Sequence, residues 1–325
     1  ESMSVLAPEG WHSCLPSFGD DTNLATRQAF QKALEASRDV LPAVMSGAAD
    51  LTGNTGAQLD GKNAFTASNN SGRQVYYGIR EHAMGAAIVG MALRGGVLPV
   101  AGTFFVFADY MRPSIRLAAL SGARCVFVFS HDSVGVGEDG PTHQPIEHLA
   151  TLRAIPGLNV IRPADPNETV AAWRAAVEHR GPTAIVLSRQ NVSALTDGSA
   201  VSVGAKTIIS SKNPAAVIVA TGSELGVAAQ AAEVLRSEGI PVNVVSMPSW
   251  NIFDSQPATY RNQVLPAGVP VVSVEAGSTF GWAKYADASV GIDRFGASAP
   301  GGVVMDKLGI NVANVVATVK SAVRT

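Results

Sequence analysis

Cysteine is almost missing from this 325-residue chain, and its two copies, Cys14 and Cys125, stand far apart. Neither has the paired spacing of a zinc or redox site, so both are expected to be structural thiols in a reducing, cytoplasmic setting. Charge is sparse as well: Lys, Arg, Asp and Glu make up 15% of the residues, the formal net charge is -2, and no basic run occurs. A nucleic-acid surface needs a concentrated excess of Lys and Arg, so that class of partner is excluded. Long apolar runs are also lacking. The longest apolar region, 83–108, is interrupted by Arg94, Pro99 and several glycines, and falls short of the ~20 apolar residues that cross a bilayer. No basic stretch followed by an apolar one opens the sequence, so neither a membrane partner nor a signal segment is expected.

What the chain has in quantity is apolar and small residues, 46% hydrophobic with 32 glycines, which is a globular composition. At ~100–200 residues per domain the length predicts two domains. No repeat at solenoid periods and no low-complexity tract is present. Residues 1–22 lack periodicity and read as an arm or linker. Asn23 is predicted to cap a helix running to about Arg38. Apolar strands are then predicted, a short one ending near Gly47 and others at 75–78, 98–101, 125–130, 159–162 and 183–187. Helical segments between them are predicted at 81–93, 105–121, 146–155 and 166–180. This alternation predicts a doubly wound, mostly parallel sheet over 23–190. The Gly, Asn and Ser rich stretch 52–74 reads as a long surface loop. Residues 191–213 read as an interdomain linker. Strands at 215–221, 242–247 and 271–275 follow, with helices at 223–238, 301–308 and 311–324, so 214–325 is expected to be a smaller α/β domain.

One stretch resists any core explanation. Residues 131–145, HDSVGVGEDGPTHQP, follow the apolar run Cys125–Ser130 and hold two histidines and three glycines. Polar groups at the carboxyl end of a sheet strand sit where open α/β folds bind ligands, so His131, Asp139 and His143 are functional candidates. Arg189 ends the last strand of the first domain and faces the same crevice, and Arg27 lies early in the first helix. A guanidinium is the usual partner of a phosphate, although either arginine is also readable as a solvated charge. Glu81 starts a helix of small and apolar residues, a setting that raises a carboxyl pKa and suits it to pass a proton. It is equally readable as a carboxylate facing a helix N-terminus. Phe104, Phe105, Phe107 and Tyr110 form an aromatic cluster that on spacing alone is more often core. The turn Ala220-Thr-Gly-Ser-Glu-Leu225 has the shape of a phosphate-binding helix start but no established glycine fingerprint, and Ser223 reads more simply as a cap. His12, His82, His148 and His179 have no partners in the sequence and read as surface or packing residues. These residues predict an enzyme acting on a phosphorylated polar metabolite, without naming the reaction.

Several motifs together resemble a known family. Gly78-Ile-Arg-Glu-His-Ala-Met-Gly85, Thr103-Phe-Phe-Val-Phe-Ala-Asp-Tyr110, the whole of 131–145 and Leu187-Ser-Arg-Gln-Asn191 resemble the pyrimidine-binding domain of transketolase. Ala220-Thr-Gly-Ser-Glu224, Val245-Ser-Met-Pro-Ser249 and Val274-Glu-Ala-Gly277 resemble its C-terminal domain. Related thiamine-diphosphate enzymes share the fold and the glutamate but not this histidine loop together with Ser-Arg-Gln-Asn. The resemblance implies a two-carbon ketol transfer from a ketose phosphate to an aldose phosphate, in the pentose phosphate pathway, with thiamine diphosphate and Mg or Ca as cofactors. It implies that Glu81 contacts the pyrimidine N1′, that Phe104, Phe107 and Tyr110 surround the aminopyrimidine, and that Asp50 lies at the cofactor. His131 and His143 would handle protons at the sugar oxygens, Asp139 would select hydroxyl configuration, and Arg27 and Arg189 would hold the sugar phosphate.

Two departures accompany the resemblance. Asn54 stands where the family has a phosphate-binding serine, so that contact either passes to Asn54 or Thr55 or is lost. No Gly-Asp-Gly motif of the diphosphate-binding half occurs, so no metal ligand is assigned in this chain. The expectation is either the C-terminal part of a longer transketolase or one subunit of a split enzyme, working as a homodimer or with the other half, and inactive alone. The alternatives are a non-catalytic dimerising or regulatory module, and a related enzyme such as dihydroxyacetone synthase.

Overall fold

The apolar runs Val44–Ala48, Leu98–Phe104, Val126–Ser130 and Thr183–Leu187 are almost wholly buried, as strands covered on both faces must be. In the computed structural model, which describes residues 7–59 and 61–324, they form the middle of a six-stranded parallel sheet. Its spatial order is Gln74–Tyr76, Val44–Ala48, Leu98–Phe104, Val126–Ser130, Thr183–Leu187, Asn159–Ile161. Helices Glu81–Arg94 and Ala108–Leu120 pack on one face around Met84, Ile88, Phe105, Met111 and Phe127. Helices Thr26–Ser37 and Pro166–Glu178 cover the other, where Trp173 meets Phe30 edge to face and donates to Ser37 Oγ at 3.0 Å. Burying each such large side chain contributes roughly 1.5–3 kcal/mol.

The second sheet has five strands in the order Ala288–Val290, Val271–Val274, Ala216–Ala220, Val242–Ser246, Lys206–Ile209, of which the last is antiparallel. Helices Glu224–Ser237 and Val312–Arg324 bury Leu225, Leu235, Val315 and Val319 against it. The apolar stretch Gly301–Arg324 is cut into helices Gly301–Lys307 and Val312–Arg324 by a turn with Gly309 at φ 86°, and neither piece reaches the ~20 residues of a membrane span.

Three boundaries differ from expectation. The first helix starts at Thr26 and not at Asn23, because Asn23–Ala25 pairs antiparallel with Asn191–Ser193. Residues 191–213 are not a plain linker: they contribute that strand and the edge strand Lys206–Ile209. The loop 52–74 opens with a short helix, Thr52–Thr55. Both cysteines serve packing, as expected. Cys125 lies in the core, where burial pushes its thiol up to about 12, and Cys14 Sγ donates to Trp11 O at 3.0 Å.

The two sheets are joined through a buried charge cluster. Arg162, fully buried at the end of Asn159–Ile161, donates from Nε to Asp132 Oδ2 at 2.9 Å and from Nη1 to Thr221 Oγ1 at 3.0 Å and to Glu224. Glu275 accepts two bonds from Arg153 at 2.8 and 2.7 Å and another from Thr221. A charge removed from water must be met by charge and hydrogen bonds together, and here the first domain supplies the arginines and the second supplies Glu224 and Glu275. A Cβ on Gly222, itself at φ 57°, would lie 2.5 Å from Arg162 Cζ, so only glycine fits this turn.

Candidate active site

The carboxyl ends of the strands of the first sheet carry the candidate residues. Leu98–Phe104 ends on Thr103 and Phe104. The buried Glu81, at the start of its helix, accepts from Thr103 Oγ1 at 3.4 Å. Phe104 and Phe107 lie nearly parallel, 5.9 Å apart between centroids at 14°, and Phe107 also meets Tyr110 at 6.0 Å. Tyr110 remains 67% exposed. Their burial therefore separates the cluster: Phe105 is core, whereas Phe104, Phe107 and Tyr110 form an open aromatic wall.

His131 and His143 close this wall. The His131 ring stacks on Phe104 at 3.7 Å and 29°, and His143 meets Phe107 edge to face at 5.5 Å. His131 sits directly after Val126–Ser130 with φ 62°, and Asp50, just after Val44–Ala48, has φ 61°. Left-handed backbone at non-glycine residues costs about 1–2 kcal/mol and concentrates at functional sites. His131 Nδ1 shares a hydrogen bond of 2.9 Å with Ser130 Oγ. Burial, with Arg27, Arg189 and His143 nearby, lowers its pKa to about 3, so the ring is neutral near pH 7. His143 Nδ1 meets Thr142 Oγ1 at 2.9 Å.

The two arginines are brought together by a clasp of their chain neighbours. Thr26 N donates to Ser188 Oγ at 3.2 Å, and Ser188 N donates to Thr26 Oγ1 at 2.7 Å. Arg27 and Arg189, 162 residues apart in sequence, thereby share one corner. Arg27 donates to Asn54 O at 3.0 Å and Asn54 Oδ1 at 3.4 Å, and Arg189 to Val136 O at 3.5 Å. Among the described residues neither forms an ion pair with a carboxylate. Desolvation and the nearby Arg189 both lower the pKa of Arg27. Guanidiniums held together without a carboxylate have the chemistry that suits an anion. Asn54 thus faces the arginine corner, whereas the buried Thr55 commits its hydroxyl to Leu51 O and Thr52 O.

Asp139 and Asp50 are exposed and make none of the contacts that hold this cluster. The loop carrying Asp139 is clamped from the second domain: Gln144 Nε2 donates to Gly137 O at 2.8 Å and Ala297 O at 3.0 Å, and Ser298 Oγ donates to Glu138 O. Thr103, Ser130, Gln144 and Arg162 escape sequence reasoning. Only Arg162 carried a signal, a charge directly after a buried strand as at Arg189. The 220–225 turn is no phosphate site, because the Arg162 guanidinium fills the space over Gly222 and Glu224 turns inward to it. Ser223 precedes that helix without a side-chain capping bond and donates instead to Glu224 Oε1. His82 Nδ1 shares a hydrogen bond with Ser114 Oγ at 3.2 Å, and His148 Nε2 lies 3.2 Å from Asp109 Oδ2 without forming one.

An aromatic wall, a buried glutamate and an arginine corner stand at the strand ends of a parallel sheet, backed by a second α/β domain, a two-domain α/β architecture. Residues 22–194 match the sequence model described as transketolase, pyrimidine binding domain, and residues 204–311 match the transketolase-like C-terminal domain. The chain belongs to the transketolase family. It is 48% identical over 326 residues to the transketolase of Geobacillus stearothermophilus, covering 97% of this chain and 49% of that protein. It is 47% identical over 328 residues to that of Bacillus subtilis, covering 97% and 49%. The structure of transketolase from Leishmania mexicana superposes with a TM-score of 0.94 at 45% identity, covering 98% of this chain and 48% of that one. A split-gene transketolase, an inactive beta4 tetramer, superposes with a TM-score of 0.76 at 26% identity, covering 93% and 99%. The chain spans about half the length of the curated bacterial relatives it matches.

Proposed function

We propose that this chain forms the pyrimidine and sugar side of a ketol-transfer site, completed by a diphosphate-binding domain held in the same polypeptide, a second copy or a separate subunit. The observation that carries the reading is the convergence of Arg27 and Arg189, neither paired with a carboxylate, beside an open aromatic wall and a buried glutamate. A flat heterocycle fits against Phe104, Phe107 and Tyr110, and a protonatable ring nitrogen is the natural partner of Glu81, whose carboxylate has Thr103 as its hydrogen-bond donor. These features suit the aminopyrimidine of thiamine diphosphate, with Asp50 at the cofactor's edge. When bound, that cofactor supplies the carbanion chemistry that carries a two-carbon unit. Mg or Ca would accompany its diphosphate on the completing domain.

Within the site, Glu81 holds a proton at the pyrimidine nitrogen. His131, neutral because it is buried among cations, donates to or accepts from a sugar oxygen without adding charge. His143, half-buried, moves protons at a neighbouring oxygen. Asp139, on the clamped loop, reads hydroxyl configuration, and Arg27, Arg189 and Asn54 hold the terminal phosphate. The first domain runs on through the strand Asn191–Ser193 and the second takes in the edge strand Lys206–Ile209, and sugar phosphates are the substrates. The structure of a Pichia stipitis transketolase in complex with sedoheptulose-7-phosphate, 40% identical with a TM-score of 0.95, supports that substrate class. A cytoplasmic setting fits the two unpaired cysteines. In the completed enzyme, Arg189→Ala should raise KM for phosphorylated ketoses by roughly 10–100-fold, the loss of a charge-assisted contact of about 1.5–3 kcal/mol, and leave unphosphorylated ketoses unaffected. Equal effects on both would remove the phosphate role.

A further inference from the structure

We propose a second, cation-binding site in this chain, made by Asp109, Glu147 and His148 and suited to a zinc-like divalent transition ion. The three side chains come from two elements: Asp109 from the first turn of Ala108–Leu120, Glu147 and His148 from the start of His148–Arg153. One ligand atom from each lies within 4.8 Å of the others. Two exposed carboxylates alone would say nothing, because acidic pairs on a surface are common. The histidine makes the difference. His148 is 5% exposed, and although Asp109 Oδ2 lies 3.2 Å from Nε2, neither ring nitrogen makes a hydrogen bond. Native structures seldom keep a buried imidazole unsatisfied without a reason.

The geometry points to what would satisfy it. Nε2 stands 3.2 Å from Asp109 Oδ2, while Glu147 Oε2 stands 3.9 Å from Nδ1 on the other edge of the ring. An ion on Nε2 therefore takes Asp109 directly, and Glu147 only once its side chain swings across. Two ligands each 2.0–2.1 Å from a tetrahedral ion stand roughly 3.3 Å apart, so the Nε2 to Oδ2 separation is already a coordination edge. Phe105, fully buried, packs against the imidazole at 5.5 Å and fixes the plane of the ring. Asp109 and Glu147 are 57% and 53% exposed, which leaves Glu147 free to swing onto the ion and leaves a path for the ion and for water ligands. One imidazole and two carboxylates suit zinc or cobalt, whereas magnesium and calcium take oxygen ligands only. An ion there would staple the helix that carries Tyr110 to the segment that follows the 131–145 loop, outside the ketol-transfer site itself.

The test is titration of the untagged chain with Zn2+ by calorimetry, and with Co2+ by visible absorption. The expected result is one ion per chain, visible bands typical of tetrahedral Co2+, and a raised melting temperature. His148→Gln should weaken binding by more than about tenfold, which is what even an outer partner's loss costs such sites. Asp109→Asn, at an exposed position that cannot compromise the core, should do the same, and Mg2+ should bind far more weakly than Zn2+. Absence of binding at millimolar Zn2+, or binding that both substitutions leave unchanged, would overturn the proposal.

Discussion

The ring of His131 lies 3.7 Å from that of Phe104, centroid to centroid. A histidine in left-handed backbone thus roofs the aromatic wall, and Arg27, Arg189 and burial together keep it uncharged. The contact joins the 131–145 loop, proposed to handle the sugar, to the wall proposed to hold the cofactor ring.

The first prediction concerns pH and stability. The pKa of His131 falls from 6.5 to about 3 on folding, so between those values the unfolded chain binds a proton that the folded chain does not. Its contribution to stability is complete above pH 6.5 and is lost as the pH falls toward 3. Roughly 2 kcal/mol should disappear between pH 7 and pH 5. Asn tolerates φ near 60°, so His131→Asn keeps the backbone while removing the titration. Urea unfolding at the two pH values should show a flatter dependence in the variant; an unchanged slope would mean that His131 is not the titrating group.

Glu81→Gln retains size and polarity but cannot hold a proton at the pyrimidine nitrogen. In the completed enzyme kcat should fall by roughly 10²–10⁴, the usual worth of a positioned acid or base, with KM for sugar phosphate little changed. Near-normal turnover would remove Glu81 from the proton role.

Arg162→Met should destabilise the chain by about 3–5 kcal/mol, because it leaves Asp132 and Glu224 buried and unpaired. Asp132 follows His131 directly, so the variant should also disturb the 131–145 loop. Denaturant unfolding and sugar-phosphate KM measure the two effects separately, and a loss under 1 kcal/mol would contradict the interdomain role.

The parallel strands were legible because apolar runs bounded by turn residues leave little choice of structure, as Val126–Ser130 and Thr183–Leu187 show. The 131–145 loop was legible because no core explanation fits polar residues placed directly after such a strand. Other features depend on distant partners. Nothing local to Asn23 reveals that Asn191–Ser193 will pair with its segment and delay the helix to Thr26. The Thr26–Ser188 clasp that sets Arg27 beside Arg189 joins residues that look like ordinary hydroxyls. The Ala220–Leu225 turn reads most simply as a helix start capped by Ser223, and nothing local shows that Arg162, from the other domain, lies over Gly222. Edge strands Lys206–Ile209 and Ala288–Val290 are short and half-buried, which leaves their periodicity too weak to read.

The central claim is that this chain supplies one side of a divided ketol-transfer site. The most direct measurement is transfer between a ketose phosphate and an aldose phosphate, with thiamine diphosphate and Mg2+, by the chain alone and after mixing with a transketolase diphosphate-binding half. The account predicts no transfer by these 325 residues alone, and transfer on mixing that Glu81→Gln suppresses. Full activity of the chain by itself, or mixed activity indifferent to Glu81, would contradict it.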